Sequence, residues 1–337
     1  MSSMNKLLTV SIAAYNVEKY IRETLESLCI PSIIDDLEIF IVDDGGKDGT
    51  YEIAKEFEDL YPNTFHAIHK ENGGWGSTVN YSIEHASGKY FRLLDGDDYY
   101  DRNGLINLIK VIKKTDADVI YTGYRRFDDE TKRTVEKFSA SNGTKNTTVS
   151  VSEVSASDFV MHSSTFKTDI LKSNNIRITE HCFYTDNEYR TKAMAYVKNA
   201  YITDYSVYQY RVGREGQSID ITGVKKHYKD NLDVLKELIK FEESLPNTCN
   251  IEIVNQYINS VIEYHYNNLL LINEEEEYKV FDIQMLRLKT HFAATEKEMQ
   301  KIIRKTNYRC FAIVSLWLRM RISVARKAKM LMSKVSG

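Results

Sequence analysis

Asp95-Gly96-Asp97-Asp98 places three carboxylates within four residues, directly after the predicted strand Lys89 to Leu94. Hard divalent cations prefer oxygen ligands, and Mg²⁺ or Mn²⁺ typically takes one or two carboxylates and completes its shell on substrate phosphates. Alternate aspartates with glycine between them can aim one carboxylate at a metal and another at a sugar, although an acidic turn with no ligand has the same spelling. A second cluster, Asp43-Asp44-Gly45-Gly46-Lys47-Asp48-Gly49, follows the apolar run Leu37 to Val42. Its carboxylates can hydrogen-bond a ribose or the imide N–H of a pyrimidine, and glycine lets the turn bend with positive φ. The same residues also suit a turn that only caps the next helix. A third, Asn72-Gly73-Gly74-Trp75-Gly76, leads into a helical pattern containing Asn80. Glycines there permit close backbone approach, and a helix N-terminus offers unpaired N–H groups to an anion; a plain loop is the alternative.

All three clusters follow the end of a predicted strand. Leu7 to Ala14, Leu37 to Val42, Phe65 to His69, Lys89 to Leu94 and Asp116 to Tyr121 read as strands, alternating with helical patterns at Val17 to Leu28, Thr50 to Leu60 and Ser77 to His85. Asp48 or Thr50 can cap the second helix. That alternation predicts an α/β fold, a mainly parallel doubly wound sheet with helices on both faces, whose ligands sit beyond the carboxyl ends of the strands. Arg125 to Ser152 is polar and predicts a hairpin or excursion at the sheet edge. A further helix is predicted over Asn187 to Val197. After about Gly223 the character changes: Lys225 to Glu243, Ile251 to Ile272 and Phe281 to Arg304 read as amphipathic helices, with Glu274 to Glu277 an acidic break. The organisation expected is therefore a catalytic domain over 1–222 and a helical region over 223–337.

The order and spacing of these clusters resemble the family-2 glycosyltransferases of GT-A fold. Val10-Ser11-Ile12-Ala13-Ala14-Tyr15-Asn16 is similar to the family's opening strand, with Ala14 where proline is commonest. Asp43 to Thr50 resembles its D-D-G-S-x-D-G-T signature, Asn72 to Asn80 its N-x-G-x-x-x-A-x-N region, and Asp95-Gly96-Asp97-Asp98 its metal-binding D-x-D. The likeness is dense over 7–101, resumes at Phe183 to Tyr189 and Tyr208 to Ser218, and gives out beyond about residue 222.

What the resemblance implies is an inverting, non-processive, metal-dependent enzyme that uses Mn²⁺ or Mg²⁺. It would move one hexose from a UDP-sugar to a glycan, lipid-linked or glycoprotein acceptor in bacterial surface polysaccharide or glycoconjugate assembly. By the same resemblance Ala13, Tyr15, Glu18 and Asp44 line the nucleoside, with Asp44 toward the base. Asn16, Asn72, Gly73, Asn80 and Gly96 complete the donor site, Asp95 faces the sugar or ribose, and Asp97 binds the metal. The family's Glu-Asp base pair reads Thr185-Asp186 here, so Asp186 is the expected general base and Glu188 the substitute if the register slips by two. Asp186 also suits a helix cap. Arg211, Arg214, Gln217 and Ser218 resemble the loop that closes over the diphosphate, and arginine's fork suits phosphate. His162 and Tyr184 are the expected acceptor-side pocket residues. A non-catalytic nucleotide-sugar-binding scaffold would keep the fold without the base. A nucleotidyltransferase would need a glycine- and arginine-rich phosphate loop that Ala13 to Glu18 lacks.

Composition narrows the class. The chain has 337 residues, 42% hydrophobic and 28% charged, with three prolines. That describes a globular protein of one or two domains. No apolar run approaches the roughly 20 residues of a spanning helix, and the amino terminus does not resemble a signal peptide. Cys29, Cys182, Cys249 and Cys310 form no C-x-x-C pair, which favours a reducing cytoplasm over a disulfide framework or zinc knuckle. Residues 301–337 hold ten Lys or Arg and no acid, while 1–300 hold 35 basic against 48 acidic residues, a net charge of −13. Apolar residues recur along that tail at helical spacing. It suits either peripheral contact with an anionic membrane, on the inner face of the cell membrane, or a packed terminal helix with a solvated basic face. The helical region is also the expected surface for a homo-oligomer. Nucleic acid is not an expected partner, because the body is acidic and shows no base-reading motif.

Overall fold

The computed structural model describes residues 6–139, 146–154, 160–213 and 221–272. Two compact units divide the chain, one comprising residues 1–216 with 230–258, the other 217–229 with 259–337. The predicted helix Phe281 to Arg304 and the basic tail 301–337 lie outside the described residues, as do Arg214, Gln217 and Ser218.

The first unit is built on one ten-stranded mixed sheet, in the order β3-β2-β1-β4-β9-β6-β10-β5, with β7 paired to β6 and β8 to β10. Strands β1 (Leu8–Ala14), β2 (Leu37–Asp43), β3 (Phe65–His69) and β4 (Tyr90–Asp95) run parallel as the sequence predicts. β1 and β2 are almost wholly buried. That is why both read as continuous apolar runs rather than alternating ones. Helices α1 (Glu18–Glu26), α2 (Thr50–Leu60) and α3 (Trp75–His85) follow β1, β2 and β3. This is the α/β sheet that the resemblance implies, and helices α7 (Ile221–Ser244) and α8 (Ile251–Ile272) come after it in the chain.

Three stretches of the chain depart from the sequence reading. Strand β5 (Tyr99–Tyr100) is followed by α4 (Arg102–Ile112), whose cap, Asp101, accepts a hydrogen bond from the Gly104 N–H at 2.7 Å. The fifth predicted strand is longer, β6 (Val119–Asp128), and folds back into β7 (Thr134–Phe138); β8 (Thr147–Ser150) completes the polar excursion. Lastly β9 (Ser164–Lys167) is a four-residue strand lying antiparallel between β4 and β6, just ahead of α5 (Thr168–Ser173). His162 therefore precedes a strand. Four residues carry no periodicity from which a strand could be read.

Helix α6 (Asp186–Met194) then leads to β10 (Asn199–Val212), which pairs parallel to β6 and antiparallel to β5. Its bulges between Ile202 and Tyr208 shift the register there. Among the described residues no helix is long and apolar enough to cross a membrane.

Candidate active site

The carboxyl ends of β1 to β4 lie side by side: Ala13 is in register with Asp95, Ala14 with Asp43, and Asp43 with His69. Every predicted acidic turn thus opens at one edge of the sheet. The two ends of that edge use their acids differently.

On the β2 side the acids hold the turns together. The Asp44 carboxylate is buried and accepts from the Gly73 N–H at 3.0 Å, the Gly74 N–H at 2.7 Å, Lys70 Nζ at 2.9 Å and the Ser77 hydroxyl at 3.1 Å. Asn72 Nδ2 donates back to the Asp44 carbonyl at 2.8 Å. Gly74 has φ of +80° and sits so close to His181 that a side chain would meet its backbone nitrogen at 3.2 Å. Asp43 accepts from the Gly46 N–H and contacts His69 Nδ1 at 2.6 Å. Asn16, left-handed at φ 52°, accepts from the Lys47 N–H, and Glu18 accepts from the Gly49 N–H at 2.9 Å. Asp48 accepts from the Thr50 N–H, ahead of α2. The expected donor-site residues Asn16, Glu18, Asp44, Asn72 and Gly73 thus form one cross-linked wall. Tyr15 stands out from it, 53% exposed, beside half-buried Ala13. Asn80 is turned elsewhere: its amide bonds both N–H and C=O of Ile178 at 2.8 Å, stapling α3 to the loop before α6.

On the β4 side acids gather around one tyrosine. Tyr208 donates its hydroxyl to Asp98 Oδ2 at 2.7 Å and lies 3.2 Å from Asp95 Oδ2. The Trp75 indole N–H donates to Asp95 Oδ1 at 3.0 Å, and the Arg211 N–H to Asp98 Oδ1 at 2.7 Å. Burial, reinforced by the neighbouring charge of Asp97, raises the Asp95 carboxyl to about 7. Asp98 is pushed well above the usual carboxylate range by burial and by Asp97 and Asp95. Asp186, the first residue of α6, is raised by burial, with Arg190 opposing, and its charge in turn contributes to the rise at Asp95. The expected base therefore shares the electrostatic field of the acidic turn.

His162 joins this group. Its ring is stacked on Tyr124, tilted against Tyr210 at 4.6 Å and met edge-on by Tyr208 at 4.7 Å. Burial and three guanidinium groups, Arg92, Arg126 and Arg190, lower its pKa to about 3, so the imidazole is neutral. Arg92, wholly buried on β4, fixes the loop by donating to the His162 carbonyl at 2.6 Å and to Thr165 Oγ1 at 2.6 Å. Ligand atoms of Asp95, Asp98 and His162 all lie within 4.8 Å of one another. Two carboxylates and a neutral imidazole suit a divalent cation, and a carboxylate oxygen that accepts one hydrogen bond retains a lone pair.

Several expected site residues are placed otherwise. Asp97, the predicted metal ligand, is buried beside this group but is not one of its three converging side chains. Gly96 N–H donates to the Ala13 carbonyl, joining β4 to β1. Glu188, the alternative base, is fully buried, paired with Lys192 at 2.8 Å and accepting from the Thr179 N–H. Arg211 is not on a loop: it lies in β10, 1% exposed, with its guanidinium on the Asp97 carbonyl, Asp129 and Glu23, packed over Tyr20 and Phe127. An arginine following a tyrosine-rich strand resembles a loop residue; burial between two carboxylates is invisible without the fold. Tyr184 is left-handed at φ 63° immediately before Thr185 and Asp186. Trp75, Tyr208 and Arg92 are site residues that the sequence reading passed over. Trp75 had a signal, because it stands inside the glycine loop.

Residues 9–174 match the family model described as glycosyl transferase family 2. An uncharacterized glycosyltransferase of Rickettsia typhi is 34% identical over 131 residues, 38% of this chain and 40% of that protein. The minor teichoic acid biosynthesis protein GgaB of Bacillus subtilis is 30% identical over 220 residues, 64% of this chain and 24% of its own length. The chain thus spans less than half of both relatives. A crystal structure of S. aureus TarS 1–349 in complex with UDP-GlcNAc superposes with a TM-score of 0.67 at 19% identity, covering 96% of this chain and 92% of that one.

Proposed function

Residues 9–174 are a glycosyl transferase family 2 domain, and from that premise we propose that the protein is an inverting enzyme transferring one hexose from a UDP-sugar. The acceptor is a glycan, lipid-linked or glycoprotein hydroxyl in surface-polymer assembly. The observation that carries the reading is the pairing of two acids, Asp95 at the end of β4 and Asp186 at the start of α6, with the charge of Asp186 contributing to the rise at Asp95. The solved TarS structures with UDP-GlcNAc and with UDP support a uridine diphosphate donor, and GgaB supports a polymer acceptor.

In this reading exposed Tyr15 and half-buried Ala13 receive the nucleoside, on a wall kept rigid by Asp44. Trp75 and Tyr208 hold the Asp95 carboxylate in one orientation toward the donor sugar. A divalent cation, held by Asp95, Asp98 and His162 with Asp97 adjacent, would supply charge neutralisation for the departing diphosphate. Asp186 takes the acceptor hydroxyl proton as the new bond forms on the face opposite the leaving group. Its raised pKa brings it nearer the operating pH, where a general base works best.

The test is UDP binding and UDP release across a panel of UDP-sugars, with Mg²⁺, Mn²⁺ or EDTA. Binding of a UDP-sugar, with release abolished in Asp186→Asn, is expected. A chain that binds no UDP-sugar in any metal overturns the reading, and an Asp186→Asn variant that turns over normally favours a different base.

A further inference from the structure

Helix α6, which begins with Asp186, lies beyond the residues that match the family model, and segments further along the chain hold it in place. Ahead of it, the Phe183 N–H donates to the Asp230 carboxylate at 3.1 Å. At its other end Asn250 joins it to the start of α8. The Asn250 N–H donates to the Ala195 carbonyl at 2.9 Å, and its side-chain amide donates to the carbonyls of Met194 and Val197. Ile253 and Tyr257 on α8 belong to the same buried core as Tyr189, Ala193 and Met194. All of these residues lie in the first unit.

Between those two ends a chain of polar contacts reaches the acid itself. Tyr257 is 1% exposed, and the Arg190 guanidinium lies over its ring, 4.8 Å from the centroid. Arg190 Nη2 donates to Asn187 Oδ1 at 2.6 Å. Asn187 Nδ2 in turn donates to the Tyr184 carbonyl at 3.0 Å and stands 3.5 Å from Asp186 Oδ1. The Asn187 N–H reaches the same Tyr184 carbonyl at 3.2 Å, closing the left-handed turn from which α6 starts. Residues four apart on a helix share a face, so Arg190 follows Asp186 along one side of α6. Both charges act on the acidic centre: that of Arg190 on Asp186 and on His162, that of Asp186 on Asp95 of β4. An arginine gives up much rotamer freedom when held in one geometry, and the face of a buried tyrosine supplies an attraction that holds it.

Resting on the transferase reading above, we propose that Arg190 is the positioning residue for the general base, docked on Tyr257 and setting the orientation of Asp186 through Asn187. Its part in the reaction is indirect. Asn187 locks the turn ahead of α6 and lies alongside the Asp186 carboxylate, so the accepting oxygens are presented in one orientation. The guanidinium opposes the burial that favours the neutral acid, and so helps to keep the base ionised. Misplacing a general base slows the chemical step and leaves donor affinity untouched. The start of α8, outside the family-model match, is accordingly part of the frame on which the reaction depends.

The test is ¹³C NMR of the full chain labelled at aspartate carboxyls, with the Asp186 signal assigned by its loss in Asp186→Asn. Beside it, UDP release is followed from UDP-glucose, UDP-galactose and UDP-N-acetylglucosamine with water as the acceptor. Arg190→Gln is expected to raise the Asp186 titration midpoint, because the opposing charge is gone, and to slow UDP release about tenfold or more at unchanged KM. Tyr257→Leu is expected to act in the same direction, and Tyr257→Phe, which keeps the ring, to restore the wild-type values. Asn187→Ala leaves the core intact and decides the matter if a substitution at Arg190 or Tyr257 prevents folding; it is expected to slow release at unchanged KM. An unchanged midpoint in Arg190→Gln, or a full rate in Asn187→Ala, overturns the proposal. So does a loss of UDP-sugar affinity that matches the loss of rate, since Arg190 would then serve the donor. A wild type that binds no UDP-sugar is a separate failure, that of the transferase reading itself, and the carboxyl titration still measures whether Arg190 acts on Asp186.

Discussion

Tyr208 donates its hydroxyl to Asp98 at 2.7 Å, 110 residues away in the chain. The same oxygen is 3.2 Å from Asp95 Oδ2 and accepts from the Asp95 N–H at 3.2 Å. A hydroxyl has one proton, so it cannot satisfy both carboxylates when both are ionised. The arrangement holds the two acids together in a form that favours one retained proton, in agreement with their raised pKa values.

This sets a pH dependence for stability. A carboxyl whose folded pKa lies above its unfolded value binds protons more tightly in the native state. The metal-free protein therefore loses stability as pH rises from about 4 toward about 7. Asp95→Asn removes that group's share, and its advantage over wild type grows across the same window to roughly 1–3 kcal/mol at neutral pH. Urea midpoints at pH 5 and 7 check it; parallel pH profiles for the two proteins count against the shift.

Divalent metal is expected to act in the opposite sense. Binding to ionised Asp95 and Asp98 displaces protons, so Mg²⁺ or Mn²⁺ raises the melting temperature more at pH 7 than at pH 5. His162→Ala is expected to weaken that metal-induced shift. Calorimetric titration of the metal in both proteins measures it, and equal affinities would remove His162 from the ligand set.

Asp186→Asn is expected to lower the transfer rate by about 10²–10⁴-fold with donor affinity retained, because general-base removal acts on the chemical step. Single-turnover kinetics beside UDP-sugar calorimetry separates the two quantities. A matching loss of donor affinity would mean that Asp186 serves the donor instead.

Asp44→Ala is expected to destabilise the fold by about 2–4 kcal/mol, since the substitution strands buried N–H groups of Gly73 and Gly74 and the Lys70 ammonium. Donor affinity should fall with it. A stable variant that has lost only UDP binding would assign Asp44 to the base instead of to the wall.

Arg211→Gln breaks the ion pairs of a buried guanidinium with Asp129 and half-exposed Glu23, for an expected loss on the order of 1–3 kcal/mol. Thermal unfolding measures it. An arginine serving only a diphosphate would leave the melting temperature unchanged and raise KM for the donor.

Local pattern carried the first hundred residues. Strands β1 and β2 are buried on both faces and spelled by apolar runs, and the turns after β2 and β4 are spelled by Asp and Gly. Those turns had to share one sheet edge once the strands were parallel, which is why the acidic cluster was legible before any coordinates. Helix α4 was not read from the sequence, although Asp101 caps it and Leu105, Leu108, Ile109 and Ile112 lie on its buried face.

What tertiary structure alone decided is which acids are occupied and which remain open for chemistry. Asp44 and Asp95 look alike in sequence, each an aspartate at or just beyond a strand's end. Asp44 is bound by N–H groups of its neighbouring loop, whereas Asp95 meets Trp75 and Tyr208, from 20 residues before it and 113 after it. Likewise Arg211 reads as a loop arginine until β10 brings it between Glu23 and Asp129. Those partners depend on strand order and on the bulges of β10, quantities set by the packing of the whole sheet. A residue's type and its near neighbours therefore determined what chemistry it could do, and long-range pairing determined whether it was left to do it.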